Sequence, residues 1–305
     1  MKLFGQNYQS QAVLVHLKSV RPVERLRVAA VRCAASLALV AAVLPVTAFA
    51  QACPVVMGCP PLSAAGSVLA ASEGALAGKR ILVFSKTAGF RHDSIPTGIA
   101  MFQALAQANG FTMQASEDAN LFNDTALRDF QAIVFLNTTS DILAPAQEAA
   151  MERFIRGGGG FVGIHAAADT EWQGSWVWYR GLLGAVFKNH PAQQQATLAV
   201  VSNEHAATRD FPMRLSIMEE WYNFSDLSPS NNVILSVDES TYTGGIHGEC
   251  HPISWFREYD GGRSFYTALG HRKETYALPA FRAHVLGGLK WVLGRIPATS
   301  APAKD

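Results

Sequence analysis

Charge is sparse in this chain of 305 residues and carries almost no sign. Lys and Arg number 25 against 24 Asp and Glu, a net of +1, and charged residues make up 16% of the sequence. A nucleic-acid surface normally shows as a basic stripe, so this balance argues against that partner and for a small molecule. Cysteine is scarce too, with four in all. The N-terminal apolar run, 33–46, is shorter than the roughly 20 residues needed to span a bilayer, and Pro45 interrupts it. No His-Glu-x-x-His helix occurs. His247-Gly248-Glu249-Cys250-His251 concentrates ligand types, but in a glycine-rich loop with no second compact pair, so a structural zinc is not expected. No cofactor is expected, and an ion assembled from distant loops is the alternative.

The N-terminus reads as a targeting segment. Lys2, Lys18, Arg21, Arg25, Arg27 and Arg32 precede the apolar run, which leads into Ala48-Phe49-Ala50, the pattern of a secretory signal with a small-residue cleavage site. Residues 1–50 are therefore expected as a signal peptide, with a periplasmic or secreted product and no stable membrane span after its removal. A membrane anchor and a lipid-modified Cys53 are the competing readings. Cys33 leaves with the signal. Cys53 and Cys59 are close enough in sequence to pair in an oxidising compartment, which leaves Cys250 as a partly buried thiol.

Residues 51–78 are rich in Ala, Gly, Ser and Pro without periodicity and read as a flexible linker; 297–305 read as a disordered tail. Between them, 79–296 form one domain. Its apolar runs at 81–84 and 132–136 are continuous, the mark of strands covered on both faces. Helical patterns at 95–109 and 145–156 alternate with them, which implies right-handed crossovers and a doubly wound, mainly parallel α/β sheet. Later segments at 196–202, 215–218, 233–237 and 253–259 read as strands. The last is joined through Asp260-Gly261-Gly262 to 264–267 as a hairpin, and Pro279 opens a final helix.

The most informative stretch is Gly157-Gly158-Gly159-Gly160-Phe161-Val162-Gly163-Ile164-His165, a glycine run feeding a short buried strand that stops on a histidine. Open α/β sheets place ligands beyond the carboxyl ends of their strands. A Cys or Ser nucleophile is missing from that slot, so the chemistry falls to histidines and carboxylates. His92 follows the first strand and His271 the last hairpin, and both can meet His165 at this edge. Asp169 lies in the loop after His165, where it can orient the imidazole or cap a helix. Glu219 and Glu220 adjoin on a strand, which sends one inward and one to solvent, and Glu220 is taken as the inward one. Trp172, Tyr222, Trp255 and Tyr276 are aromatics near these loops, suited to stacking on sugar rings.

Together, Thr87-Ala88-Gly89-Phe90-Arg91-His92-Asp93-Ser94-Ile95, the 158–165 segment, Glu220-Trp221-Tyr222-Asn223-Phe224, and the block from His251-Pro252-Ile253-Ser254-Trp255 through Gly270-His271 resemble the trehalose-utilisation, ThuA-like family over 79–294. The resemblance implies a flavodoxin-like, three-layer fold similar to class I glutamine amidotransferases. In those enzymes a Cys, a His and a Glu form the hydrolytic triad. Here His165 occupies the thiol's place, so amide hydrolysis through a thioester has no nucleophile.

Family context implies disaccharide metabolism alongside dehydrogenases that make 3-keto sugars. The expectation is a sugar or keto-sugar cleaved or modified by His165, His271 and Glu220 as acid and base, with His92, Asp169, Trp172, Tyr222, His251, Trp255 and Tyr276 binding or orienting the substrate. A silent carbohydrate-binding module and a metal-dependent hydrolase are the rival readings.

Overall fold

A computed structural model describes residues 59–70, 74–171 and 176–294. The signal-peptide reading of 1–50, Cys53, Trp172 and the 297–305 tail lie outside the described residues.

Among the described residues the first element is helix α1 (Ala64–Ala70), after which strand and helix alternate. The order is β1 (Arg80–Phe84), α2 (Ile95–Asn109), β2 (Thr112–Ser116), α3 (Asp124–Leu127), β3 (Ala132–Leu136), α4 (Pro145–Arg156) and β4 (Gly160–Ile164). There follow α5 (Val177–Leu183), β5 (Val186–Asn189), β6 (Gln194–Val200), β7 (Arg214–Glu219), β8 (Asn223–Ser225), β9 (Asn232–Asp238), β10 (His251–Tyr259), β11 (Gly262–Thr267) and α6 (Pro279–Val292).

Nine strands form one sheet in the order β2-β1-β3-β4-β11-β10-β9-β6-β7. Its first five strands are mutually parallel. The hairpin of β10 and β11 then reverses direction, and β9, β6 and β7 extend the sheet antiparallel. The parallel half is the doubly wound core: every residue of β3, β4 and β11 is buried, as is β1 after Arg80, so both faces are covered. β5 and β8 pair separately as a two-stranded ribbon.

Three expectations need correction. Residues 51–78 are not simply a tether, because α1 forms there, Cys59, Ala70 and Leu76 are buried, and the Gly74 N–H donates to the Lys290 carbonyl. Cys250 is not a free thiol: it is bonded to Cys59, 191 residues away, with Cα atoms 4.6 Å apart. Proximity in sequence suggested Cys53 as the partner of Cys59, but packing of the leader segment decides the pairing. The aromatic-rich stretch 172–183 reads in the sequence as one helix, whereas among the described residues the helix begins at Val177.

Candidate functional site

β4 delivers His165 to the carboxyl edge of the sheet in a left-handed conformation, φ +47°. A non-glycine residue tolerates this only where surroundings hold it, and such positions concentrate at functional sites. Here the Tyr266 hydroxyl donates to the His165 carbonyl at 2.8 Å, and His165 Nδ1 donates to the Ala268 carbonyl at 2.7 Å. Both partners come from β11 and its exit, the strand beside β4. The ring is therefore fixed in place and in tautomer at Nδ1.

Three other side chains close on it. The rings of His92 and His271 stand 4.9 and 5.2 Å from that of His165, and 5.0 Å from each other. Glu220 Oε2 lies 3.4 Å from His165 Nε2 and 3.1 Å from His271 Nδ1. Its other oxygen, Oε1, lies 3.3 Å from His190 Nδ1. The Tyr222 ring packs on His165 at 4.2 Å. Outside this group a cavity of about 480 Å³ opens, lined among others by Phe90, Arg91, His92, Gln193 and His271.

Burial and charge act in opposite directions across the cluster. Burial would raise the Glu220 carboxyl, but His165 and His271 outweigh it and hold it well below the usual carboxylate range. Burial would lower His271, yet contact with Glu220 brings a net rise. His92, buried and facing two other imidazoles, falls to about 2 and stays neutral. Asp169, half-buried, rises to about 6 through desolvation, which His190 partly offsets.

A buried network positions the His271 loop. Glu219 Oε1 accepts from the Gly270 N–H at 3.0 Å and the Thr275 hydroxyl at 2.6 Å, while Oε2 accepts from the Glu220 N–H at 3.0 Å. The Gly270 carbonyl accepts from Ser94 Oγ, Asn137 Nδ2 and the Tyr276 hydroxyl. Ser94, the residue just before α2, makes no side-chain cap and spends its hydroxyl on this loop.

The ThuA family, described as trehalose utilisation, matches residues 80–292. The chain belongs to the ThuA family. Among solved structures, a ThuA-like protein from Bacteroides uniformis ATCC 8492 superposes with a TM-score of 0.62 at 23% identity, covering 71% of this chain and 91% of that one. A ThuA-like protein from Parabacteroides merdae ATCC 43184 gives 0.60 at 16%, covering 72% and 93%. At these identities the likeness shows the shared fold. No curated protein matches the sequence significantly.

Within this ThuA domain His92, His165, Glu220 and His271 lie together, with Tyr222 against them and Asp169 nearby. Three sequence-selected residues lie elsewhere. His251 is fully buried and engaged by Glu239, the Tyr242 hydroxyl and the Tyr222 carbonyl. Trp255 is a core residue whose indole donates to the Leu183 carbonyl at 2.7 Å. Tyr276 is buried against Gly270. Glu219 is also corrected: it faces the interior, on the same face of β7 as Leu215 and Ile217, and Glu220 turns inward as well because β7 ends before it and the alternation of the pleat stops.

Sequence reasoning missed His190, Gln193 and Asn137. His190 and Gln193 flank Pro191 just after β5, a strand too short to show a pattern. Asn137 directly follows the buried run of β3 and has φ +51°, so its position at a strand's carboxyl end was the available signal.

Proposed function

We propose that this ThuA-family protein is exported and cleaves or modifies a disaccharide or keto-sugar by acid–base chemistry, without a thiol nucleophile. The observation that carries this reading is the convergence of His92, His165, Glu220 and His271, from four separate segments, with His92 and His271 lining one cavity. The cavity is of a size to take a sugar ring. Its proton carriers are imidazoles and carboxylates: the cluster itself, with His190 and Asp169 beside it.

A keto group acidifies the C–H next to it. A base takes that proton, the electron pair forms a carbon–carbon double bond, and the glycosidic C–O bond breaks as the departing oxygen gains a proton from an acid. No covalent enzyme intermediate is required. His165 is fully buried, so its part is to hold Glu220 and the neighbouring rings, while His92 and His271 present edges to the cavity.

The test is incubation of the purified protein with trehalose and with 3-keto-trehalose, following released glucose. Turnover of either is expected, and it should be abolished in His165→Ala and Glu220→Gln with the fold retained. Binding of these sugars without turnover would overturn the catalytic reading in favour of a binding module. Full activity in both variants would displace the chemistry from this cluster.

A further inference from the structure

The cluster contains more unsatisfied lone pairs than acid–base chemistry requires. One ligand atom each from His92, His165, Glu220 and His271 lies within 4.8 Å of every other. His165 Nδ1 faces a carbonyl, which only accepts, so Nδ1 carries the proton and a neutral ring has its lone pair at Nε2. That nitrogen is buried, makes no hydrogen bond, and faces Glu220 Oε2 at 3.4 Å. His92 Nδ1 is likewise buried without a hydrogen-bond partner, and His271 Nδ1 faces Glu220 Oε2 at 3.1 Å. With His92 and His271 also neutral and their facing nitrogens unprotonated, the lone pairs of three imidazoles and a carboxylate would repel each other at one point, and a cation there would remove the penalty.

The spacing agrees with a metal centre. Four ligands at metal-bond lengths of about 2.0–2.1 Å stand roughly 3.3 Å apart when tetrahedral. The contacts of Glu220 Oε2 with His271 and His165 are 3.1 and 3.4 Å. We propose that His92, His165, Glu220 and His271 bind a divalent first-row transition metal ion. Three imidazole nitrogens and one oxygen suit zinc, iron, manganese or nickel, whereas calcium and magnesium take all-oxygen shells.

An outer shell is already built. Ala268 O orients His165 through Nδ1, and His190 meets Glu220 Oε1 at 3.3 Å. Gln193 Nε2 contacts His271 Nε2 at 2.7 Å; turning that amide over would let its oxygen accept from the ring N–H and free Nδ1 for the metal. His92 and His271 line the cavity, so an ion here is within reach of a bound ligand. The site's existence is independent of the sugar reading, but its use rests on it: the ion would polarise the keto oxygen, leaving His190 and Asp169 as proton carriers.

The test uses protein stripped with a chelator and dialysed against Zn²⁺ or Mn²⁺, with bound metal measured by elemental analysis and affinity by calorimetry. Close to one ion per chain is expected, with a melting temperature several degrees above the stripped protein. Glu220→Gln and His165→Gln should each lower affinity at least tenfold while retaining the circular dichroism of the parent. Glu148→Gln, in the separate Asp141, Glu148 and Glu171 group, should bind normally.

Absence of binding at micromolar metal would overturn the proposal, and so would loss of binding in Glu148→Gln with retention in Glu220→Gln. The thermal shift of the parent protein keeps the test decisive if a variant fails to fold. Full sugar turnover by stripped protein would refute the ion's catalytic use and leave the acid–base reading standing. Stoichiometric binding with no action on sugars would do the reverse.

Discussion

Acidification from pH 8 to pH 5 should destabilise the protein through His284, a fully buried residue on α6. Its Nδ1 donates to the Ala207 carbonyl at 2.8 Å, and its Nε2 lies 3.0 Å from Ser254 Oγ, whose hydroxyl is also 2.6 Å from the Tyr266 carbonyl. A proton on Nε2 would place an imidazolium in the apolar interior beside Phe265 and Phe211. Burial accordingly lowers its pKa from 6.5 to about 4, against a smaller opposing effect of the Ala207 carbonyl.

The sign follows from linkage. Above the unfolded pKa both states are neutral; as pH falls below it, the unfolded chain takes a proton that the folded one refuses, so stability declines until the folded pKa is passed. From those two pKa values the loss is about 2 kcal/mol at pH 5 and about 3 kcal/mol below pH 4. For a domain of this size 2 kcal/mol corresponds to roughly 4–8 °C in Tm.

The assay is urea denaturation of the parent and of His284→Gln at both pH values. Glutamine keeps a donor and an acceptor but does not titrate. The decline between pH 8 and pH 5 should be smaller in the variant by about 2 kcal/mol. Equal declines in the two proteins would refute the assignment, since the other buried histidines contribute to both.

Removing the Cys59 to Cys250 link, which closes a loop with a sequence separation of 191, should lower stability by about 5 kcal/mol on the chain-entropy estimate. Melting Cys250→Ser, and the parent with and without reductant, checks this; a parent Tm indifferent to reductant would contradict it. Glu219→Gln weakens the charge-assisted bonds to Gly270 and Thr275 and should cost about 2 kcal/mol, seen as a lower denaturation midpoint. An unchanged midpoint would mean that Glu219 does not anchor the His271 loop. Gly270 has φ +117°, and a Cβ there would stand 2.8 Å from Tyr276 Oη and 2.9 Å from Ile164 Cγ2. Gly270→Ala should therefore destabilise by about 1–3 kcal/mol in thermal melts, and a neutral result would show that the turn can relax.

The parallel half of the fold was legible in the sequence because its strands are buried on both faces and so appear as unbroken apolar runs, as in Ile81 to Phe84 and Ala132 to Leu136. The β5 and β8 ribbon was not: four and three residues are too few to show alternation. At the site, the position of His165 followed from the strand that ends on it, and the loops after β1 and β11 named His92 and His271 as candidates to meet it. The strand's period of two puts Glu219 inward with Leu215 and Ile217 but could not show that Glu220 turns inward too, because that period holds only while the strand continues.

The sequence by itself determined local matters: the strands and helices of the parallel half, which strand ends carry histidine, and that no thiol stands after the glycine run. Only the tertiary structure decided the rest, namely the Cys59 to Cys250 pairing, the retreat of His251, Trp255 and Tyr276 into the interior, and the meeting of His190 with Glu220. Those outcomes depend on contacts between residues far apart in the chain, set by how whole elements pack. Periodicity and turn chemistry report on neighbours in sequence and carry no information about such distances.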